Sequence, residues 1–385
     1  MAPQNSGNSA FISPPPRVSV VEGPQKVVAL AYAAAKTCYS EELVFPDEGA
    51  SAEAMTSLAG DTYRAGHHTL WQHANFVFAL DGVSRLLVWS LLHSFPWYDS
   101  SQRSQRYVPV RSEDVVVPAF RGQSLDLYQQ TVALMMAGYQ KLVEMLSPLV
   151  VAELSQRFPK GRKGMEHLVT QKAQEVARYV LPLGTTTGLY YTINATTLMC
   201  LRHLCHRAGL PVEGVILVGR MVSAVLERDP LFGKVLERPL ESVWTYEFEL
   251  RQRFCPPDSY LMLQKFTQEF DASLGSAPTQ LVSGDPQAES TLATAVRGVL
   301  GLASGWLGDE KAISVVLDPA QNPYLSLPLD LACHSPAMRP LTQVHWTFRE
   351  RLSNTGDSQW QRHRTAPTSR PLTWVYVRPD PDYVT

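Results

Sequence analysis

The 385-residue sequence predicts an α+β protein, a mixed sheet combined with long helices. Three observations carry this expectation. Short runs rich in β-branched and aromatic residues stand apart from long apolar stripes of helical period. The two kinds of segment intermix without a repeating strand–helix–strand unit, which argues against a parallel α/β sheet. A strand-then-helix pattern from the N-terminal region also returns near the C-terminus, so part of the fold is expected to be duplicated.

In chain order, residues 1–17 are expected to be a flexible tail, since Pro14, Pro15 and Pro16 are consecutive and the plan of a signal peptide is missing. Val18–Val21 reads as a strand, Gly23-Pro24 as a turn, and Val27 onward to Ser40 as a helix. His73–Leu80 is a strand, continued by a buried helix over Val83–Leu92. Leu125, Tyr128, Val132, Met135, Tyr139, Leu142 and Leu146 are spaced alternately by three and four, a stripe along one long helix. Ser147-Pro148 is expected to end it. A second helix runs from Gly164 to Leu181-Pro182, a third from about Ile193 to Arg207, and a fourth from Gly214 to Leu226.

The repeat follows. The stretch Val18–Gln25 returns loosely as Leu281–Gln287, again before an apolar helix (Leu292–Leu302), and His73–Ser84 is echoed by Val344–Ser353. The echoes keep their order at offsets of roughly 260 to 270 residues. The second copy has no counterpart to the helices between Leu125 and Leu226. The expected organisation is therefore a tail (1–17), a first domain (18–245), a connecting segment (246–278) and a second, incomplete domain (279–385).

Thirty-four basic against 36 acidic residues gives a net charge of -2, which excludes a surface built for duplex nucleic acid and leaves room for one small basic pocket. At 45% hydrophobic, the chain can bury a sizeable core, yet no run reaches the length of a membrane-spanning helix. Five cysteines (Cys38, Cys200, Cys205, Cys255, Cys333) show neither a CxxC pair nor metal-ligand spacing and read as reduced core thiols. A cytoplasmic protein with no membrane or nucleic-acid partner and no metal is expected.

Four stretches hold the candidate chemistry. Gly66–His73 is a histidine-rich entry to a strand, but no carboxylate or cysteine completes a metal site, and structural hydrogen bonding accounts for such histidines as well. Tyr98–Tyr107 clusters hydroxyls with Arg103 and Arg106, which suits a phosphate and equally suits a solvated loop. Arg178 sits among apolar neighbours at a helix end, where a buried guanidinium needs a partner. Gln361-Arg362-His363-Arg364 is a short basic loop.

Taken together these stretches resemble the flavin-dependent thymidylate synthases. Gln72-His73-Ala74-Asn75-Phe76-Val77-Phe78 is similar to the family's EH-x-x-F-x-F strand. Ser101-Gln102-x-Ser104-x-Arg106-Tyr107 is similar to the tail of its R-H-R-x-x-S-x-N-E-x-S-x-R-Y motif. Ala177–Pro182 and Thr192-Ile193-Asn194 are similar to A-R-x-x-L-P and T-x-N, and Ala35–Ser40 to A-R-T-C-Y-S with Lys36 for arginine. The matches keep the family's order from about Val18 to Phe232.

The departures from the pattern are specific. The family's R-H-R falls on Ser94-Phe95-Pro96, none of which can stabilise negative charge on a flavin or a nucleotide. The second copy carries Arg362-His363-Arg364 at nearly the family's distance from its own strand, but replaces S-x-R-Y by Pro367–Pro371. Each copy keeps what the other lost, so a composite pocket is expected. One further family arginine falls on Arg202 or Arg207, with an ungapped match on Cys205.

The resemblance implies methylation of dUMP to dTMP with FAD, NADPH as reductant and methylenetetrahydrofolate as carbon donor. It implies Arg178 at the uracil carbonyls as the catalytic residue, and Ser104, Gln105, Arg106, Arg178 and Arg362 on dUMP. It puts His67, Thr69, Gln72, Asn194, Arg362, His363 and Arg364 on FAD. In that family the active site forms between subunits, so a homo-oligomer is expected, a pseudo-tetramer made from two two-copy chains. The alternatives are a methylase of another uridine nucleotide, or an inactive paralogue that binds nucleotide and flavin or serves as an assembly subunit.

Overall fold

The computed structural model describes residues 10–46, 49–94, 97–161, 163–206, 211–236, 250, 253–254, 259–327, 332, 334–361 and 368–371. The chain divides into two compact units, Met1–Phe254 with Ser358–Pro367, and Cys255–Asp357 with Thr368–Thr385. The division differs from the sequence reading at two places. Half of the expected connecting segment is a 16-residue helix of the second unit, and the stretch from Ser358 groups with the first.

The first unit is built on a four-stranded antiparallel sheet of order β1-β2-β4-β3, with β1 Arg17–Glu22, β2 Asn75–Ser84, β3 Tyr98–Gln102 and β4 Thr186–Asn194. Alternation along the strands decides which face is covered. Phe76, Phe78, Leu80, Leu189, Tyr191 and Ile193 are buried, while Tyr190 on the opposite face is 55% exposed.

The helices of this unit are α1 (Val27–Thr37), α2 (Ala52–Arg64), α3 (Thr69–Gln72), α4 (Arg85–Ser94), α5 (Gln123–Arg157), α6 (Met165–Ala177), α7 (Ala195–His206), α8 (Val212–Leu226) and α9 (Leu231–Leu236). Val27, Val28 and Ala31 of α1, Leu87 and Leu91 of α4, Leu198 and Leu201 of α7, and Leu217 and Met221 of α8 share one apolar cluster with the covered strand residues.

Several boundaries depart from the sequence reading. Helix α5 does not stop at Ser147-Pro148 but runs through Pro148 to Arg157. Proline removes the backbone donor that the Glu144 carbonyl would accept from, and Glu144 and Pro148 are exposed, so that carbonyl is left on the open side of the helix; the Ser147 hydroxyl also bonds the carbonyl of Val143 at 2.7 Å. Helix α6 ends at Ala177, after which Arg178–Val180 form one 3₁₀ turn and Leu181 is extended ahead of Pro182. Ile193 and Asn194 are the last residues of β4, so the third helix begins two residues later than expected, at Ala195. Tyr98–Gln102, read as part of a polar loop, is an edge strand. Of the cysteines, Cys200 is buried and Cys205 half-buried, and burial pushes their thiols up to about 11 and about 12. Cys38 is exposed, contrary to the core reading.

The second unit contains α10 (Ser259–Leu274), β5 (Thr279–Gly284), α11 (Ala288–Leu300), α12 (Asp309–Leu317), β6 (Trp346–Glu350) and the start of α13 (Asn354–Trp360). Leu292, Ala293 and Val296 of α11 pack on Ala312 and Val316 of α12. Strands β5 and β6 pair antiparallel, as β1 and β2 do. The register slips by one residue between Val20 and Glu22 against Phe78 and Val77, and again between Leu281 and Ser283 against Phe348 and Thr347. After each slip a glycine lies against an aromatic ring. A Cβ on Gly23 would stand 2.6 Å from Phe76 Cδ1, and one on Gly284 would overlap Trp346.

One buried carboxylate fastens the sheet to the helices. Glu213, in the first turn of α8 and 5% exposed, accepts a hydrogen bond from Ser84 N at 2.8 Å and a second from its hydroxyl. Ser84 Oγ in turn accepts from Leu87 N at 3.1 Å and so caps α4. Burial pushes the Glu213 carboxyl up, against the lowering effect of the two Ser84 hydrogen bonds.

A carboxyl whose folded pKa is raised holds its proton longer in the native than in the unfolded chain, so stability falls as pH rises past the ordinary value of 4.5. Melting followed from pH 4 to 8 should show that fall in the native protein and a flatter profile in Glu213→Gln. Identical profiles would remove Glu213 as its source.

Candidate active site

At one end of the sheet, β2 ends at Ser84, β4 begins at Thr186, and β3 has just ended at Gln102. Arg85, the first residue of α4, donates from Nη1 to Gln102 Oε1 at 2.9 Å and from Nη2 to the carbonyl of Arg103 at 2.6 Å. With Arg103, Ser104, Gln105, Asp114 and Thr186 it lines a small open cleft. Arg103 reaches back across the sheet to Asp81 at 3.5 Å, an approach that depends on Gly188, where a Cβ would stand 2.9 Å from the Asp81 carboxylate. Asp81 also pairs with Arg17, whose hydrogen bond leads the causes that hold its carboxyl below the ordinary range.

Two more guanidinium groups, Arg178 and Arg106, lie within electrostatic reach of its lining, Arg178 of Arg85 and Arg106 of Arg178. Arg106 Nε stands 3.1 Å from Glu175 Oε1, a charge contact not aligned as a hydrogen bond. Burial works against the ionised Glu175, but the Lys172 hydrogen bond at 3.0 Å and the charges of Arg106, Lys172 and Arg178 hold its carboxyl low. Burial depresses Arg178, and the charge of Arg106 adds to that. Arg85 is pushed down to about 10 by burial, then by Arg178 and Arg103. At neutral pH it remains a cation. Nε of Arg85, Arg106 and Arg178 are all buried and find no hydrogen-bond acceptor among the described residues. Gathered guanidinium groups with unused donors have the chemistry of an anion site.

The structure therefore brings together Ser104, Gln105, Arg106 and Arg178 of the sequence-predicted set. It also brings in Arg103, read in the sequence only as part of the Tyr98–Tyr107 cluster, and adds Arg85, which the sequence reading did not single out. Arg85 was hidden as the first polar residue after a strand, inside what read as a buried helix. Only the pairing of β2 with β4 reveals that it faces Ser104.

The predicted flavin residues gather at the other end of the sheet. His67 and Thr69 are exposed just before and at the start of α3, and Gln72 ends that helix. Asn194 closes β4 opposite Asn75. The two groups are tied by Thr196 Oγ1 to the His68 carbonyl at 3.3 Å and by Ala195 N to the Ala74 carbonyl at 2.8 Å. Asn194 Oδ1 accepts from Thr197 N at 2.9 Å and so caps α7. Polar side chains thus surround an open strand end, a donor set that fits the polar chain of a flavin cofactor. Among the described residues no cluster of three His, Cys, Asp or Glu side chains has the arrangement of a metal site.

Strand β4 has nine residues, so its ends lie about 26 Å apart at roughly 3.3 Å per step. The anion cleft and the predicted flavin wall stand at these opposite ends. Ser94 ends α4 near Tyr98 and Trp97, on the flavin side, whereas Phe95 and Pro96 lie outside the described residues. So do Arg207, Arg362, His363 and Arg364. Arg202 lies in α7 and is half-buried.

The profile of one family, described as thymidylate synthase complementing protein, matches residues 19–230, more than half of the chain. The chain belongs to that family. The flavin-dependent thymidylate synthase of Clostridium tetani is 32% identical over 191 residues, covering 47% of this chain and 70% of that protein. The enzyme of the same description from Nitratidesulfovibrio vulgaris is 26% identical over 212 residues, covering 52% and 79%. Among solved structures, a UMP/dUMP methylase from Streptomyces cacaoi bound to 5-Br dUMP aligns with a TM-score of 0.41 and 19% identity, over 58% of this chain and 94% of that one. The profile match falls inside the first unit, which holds the anion cleft. Among the described residues no helix is long and apolar enough to cross a membrane.

If the cleft takes an anion, inorganic phosphate should raise the melting temperature, because a ligand of the native state stabilises it by mass action, about 2.7 kcal/mol at a hundred times its Kd. Arg106→Ala should lose most of that protection, and added sodium chloride should weaken it. Equal protection of both proteins would place the phosphate elsewhere.

Proposed function

We propose that the chain is a flavin-dependent thymidylate synthase that methylates dUMP. The observation that carries this reading is the cluster of Arg85, Arg106 and Arg178 with unused buried donors beside Ser104, in a chain of this family. In the proposed reaction reduced FAD, supplied by NADPH, provides reducing equivalents, and methylenetetrahydrofolate provides the carbon. The residues of the chain bind and orient. Ser104, Gln105 and Arg106 hold the nucleotide phosphate, with Arg85 behind them. Arg178 shares their charges, which supports its role on the nucleotide most directly at the anionic end rather than at the uracil carbonyls. His67, Thr69, Gln72 and Asn194 line the flavin, and Arg362, His363 and Arg364 supply the cations that Ser94-Phe95-Pro96 lack.

We also infer that the second unit is a partial duplicate. The shared slip of register and the glycine against an aromatic ring, at matching places in β1–β2 and β5–β6, support it independently of the sequence echo. The 26 Å between the sheet ends supports a site assembled between copies, because one nucleotide stacked on one flavin cannot bridge them (about 3.3 Å per strand step). Leu127, Leu134, Met145 and Leu149 lie along one side of α5, exposed. A second copy of the chain covering this stripe completes the proposed assembly.

The purified protein should be yellow, and dUMP should perturb its flavin spectrum. A colourless protein that takes up no FAD after addition and dialysis refutes the reading. Bound flavin with methylation of another uridine nucleotide but not of deoxyuridylate selects the related methylase, and bound flavin with methylation of neither selects the inactive assembly subunit, the reading that Ser94-Phe95-Pro96 favours. Arg178→Lys should fold normally and raise KM for dUMP by about tenfold to a hundredfold, since a point charge cannot replace the guanidinium fork. A loss confined to kcat would return Arg178 to the uracil ring. Leu134→Glu should shift the protein to a smaller species in sedimentation, and an unchanged species would show that the α5 stripe is not an interface.

A further inference from the structure

We propose that Arg85 is the positioning residue of the anion cleft: it clamps the end of β3 and so fixes the turn that carries Ser104, Gln105 and Arg106. The inference rests on the reading of that turn as the phosphate-binding segment and adds what holds it in shape. The Arg85 guanidinium spends both terminal nitrogens within the protein, Nη1 on Gln102 Oε1 at 2.9 Å and Nη2 on the Arg103 carbonyl at 2.6 Å. A planar fork bonded to two acceptors fixes one against the other, here a side chain against the next peptide.

The Arg103 carbonyl is held twice, because Thr187 Oγ1 also donates to it at 3.2 Å and occupies its other lone pair. Thr187 lies in β4 and is buried. On its other side Arg103 N donates to the Gly188 carbonyl at 2.9 Å. The turn begins at the next residue. The Ser104 carbonyl accepts from Tyr107 N at 3.2 Å and Val108 N at 3.1 Å, and Ser104 Oγ accepts from Arg106 N at 3.2 Å. A peptide is planar, so a carbonyl held by Arg85 and Thr187 sets the direction in which Ser104 leaves the sheet. Arg85 is itself anchored from behind. Its amide donates to the Thr185 carbonyl at 2.9 Å, and Ser84 before it is held by the buried Glu213. Arg85 acts through Gln102 and Arg103 and touches no anion.

The test is calorimetric titration of the full-length protein with inorganic phosphate, at a temperature where circular dichroism shows each variant folded. Arg85→Lys should weaken binding about tenfold and Gln102→Met about fivefold, the order of one hydrogen bond. Lysine keeps the charge and loses the fork, so its failure to rescue separates positioning from direct attraction. The double variant should be no weaker than Arg85→Lys alone, because both changes release the same clamp. A merely structural arginine would lower the melting temperature and leave the phosphate Kd of the folded protein unchanged. Gln102 lies in an edge strand, so Gln102→Met remains informative if the Arg85 variant fails to fold. Near-native affinity in Arg85→Lys with weak binding in Arg85→Met would show a charge acting directly on the anion and overturn the clamp. Native affinity in Gln102→Met overturns it too, and if Arg106→Ala is still weak the anion cleft and the proposed function stand. A native protein that binds no phosphate overturns both.

Discussion

Thr186 and Asn194 are the two ends of one strand, and the separation of about 26 Å that an extended chain of that length imposes governs what the first unit can bind. Every cation of the anion cleft belongs to one end: Arg85 after β2, Arg103 and Arg106 after β3, Arg178 on the turn after α6. The His67–Gln72 approach, Asn194 and Tyr98 belong to the other. Since a strand cannot shorten, the residues gathered at one end of β4 act independently of those at the other, which is the constraint the proposed assembly answers.

The cleft also accounts for a cost the fold accepts. Arg85, Arg103, Arg106 and Arg178 stand near one another, with Glu175, Asp81 and Asp114 as nearby acids. Burial lowers Arg85 to about 10, and the like charges of Arg178 and Arg103 add to that lowering. A protein selected for stability alone would replace such a group by apolar residues. The arrangement is favourable once a dianion sits among the guanidinium forks, so the repulsion among the cations and their affinity for an anion have a single origin. Glu213 acts on the same end through structure: it holds Ser84, and Ser84 caps the helix that Arg85 begins.

Legibility in the sequence followed the strength of the local signal. The stripe from Leu125 to Leu146 identified α5, because seven apolar positions alternately three and four apart fall on one helix face and on no single face of a strand. Its end was misjudged at Pro148, where an exposed helix face tolerates the missing donor. Strand β3 was unreadable, since Tyr98–Gln102 is polar and lies at the sheet edge, where pairing with β4 rather than burial defines it. The phosphate candidates Ser104, Gln105 and Arg106 were visible as a motif. Arg85 was not, since nothing in its neighbourhood of the chain says which strand end it will face. Only the register of β2 on β4 does.

The hairpin of the second unit resembles that of the first in pairing but not in burial. In the first unit Phe76 and Phe78 are fully buried, because β4 pairs beside them and α7 and α8 close over the face. At the matching positions Trp346 and Phe348 are 51% and 56% exposed, and β6 pairs with β5 alone among the described residues. The two hairpins share the slip and the glycine, features that shape the pair itself, and differ in what covers them. A common origin, as proposed above, accounts for both facts: local geometry depends on two strands alone, whereas burial of the aromatic side chains depends on the elements packed beside them.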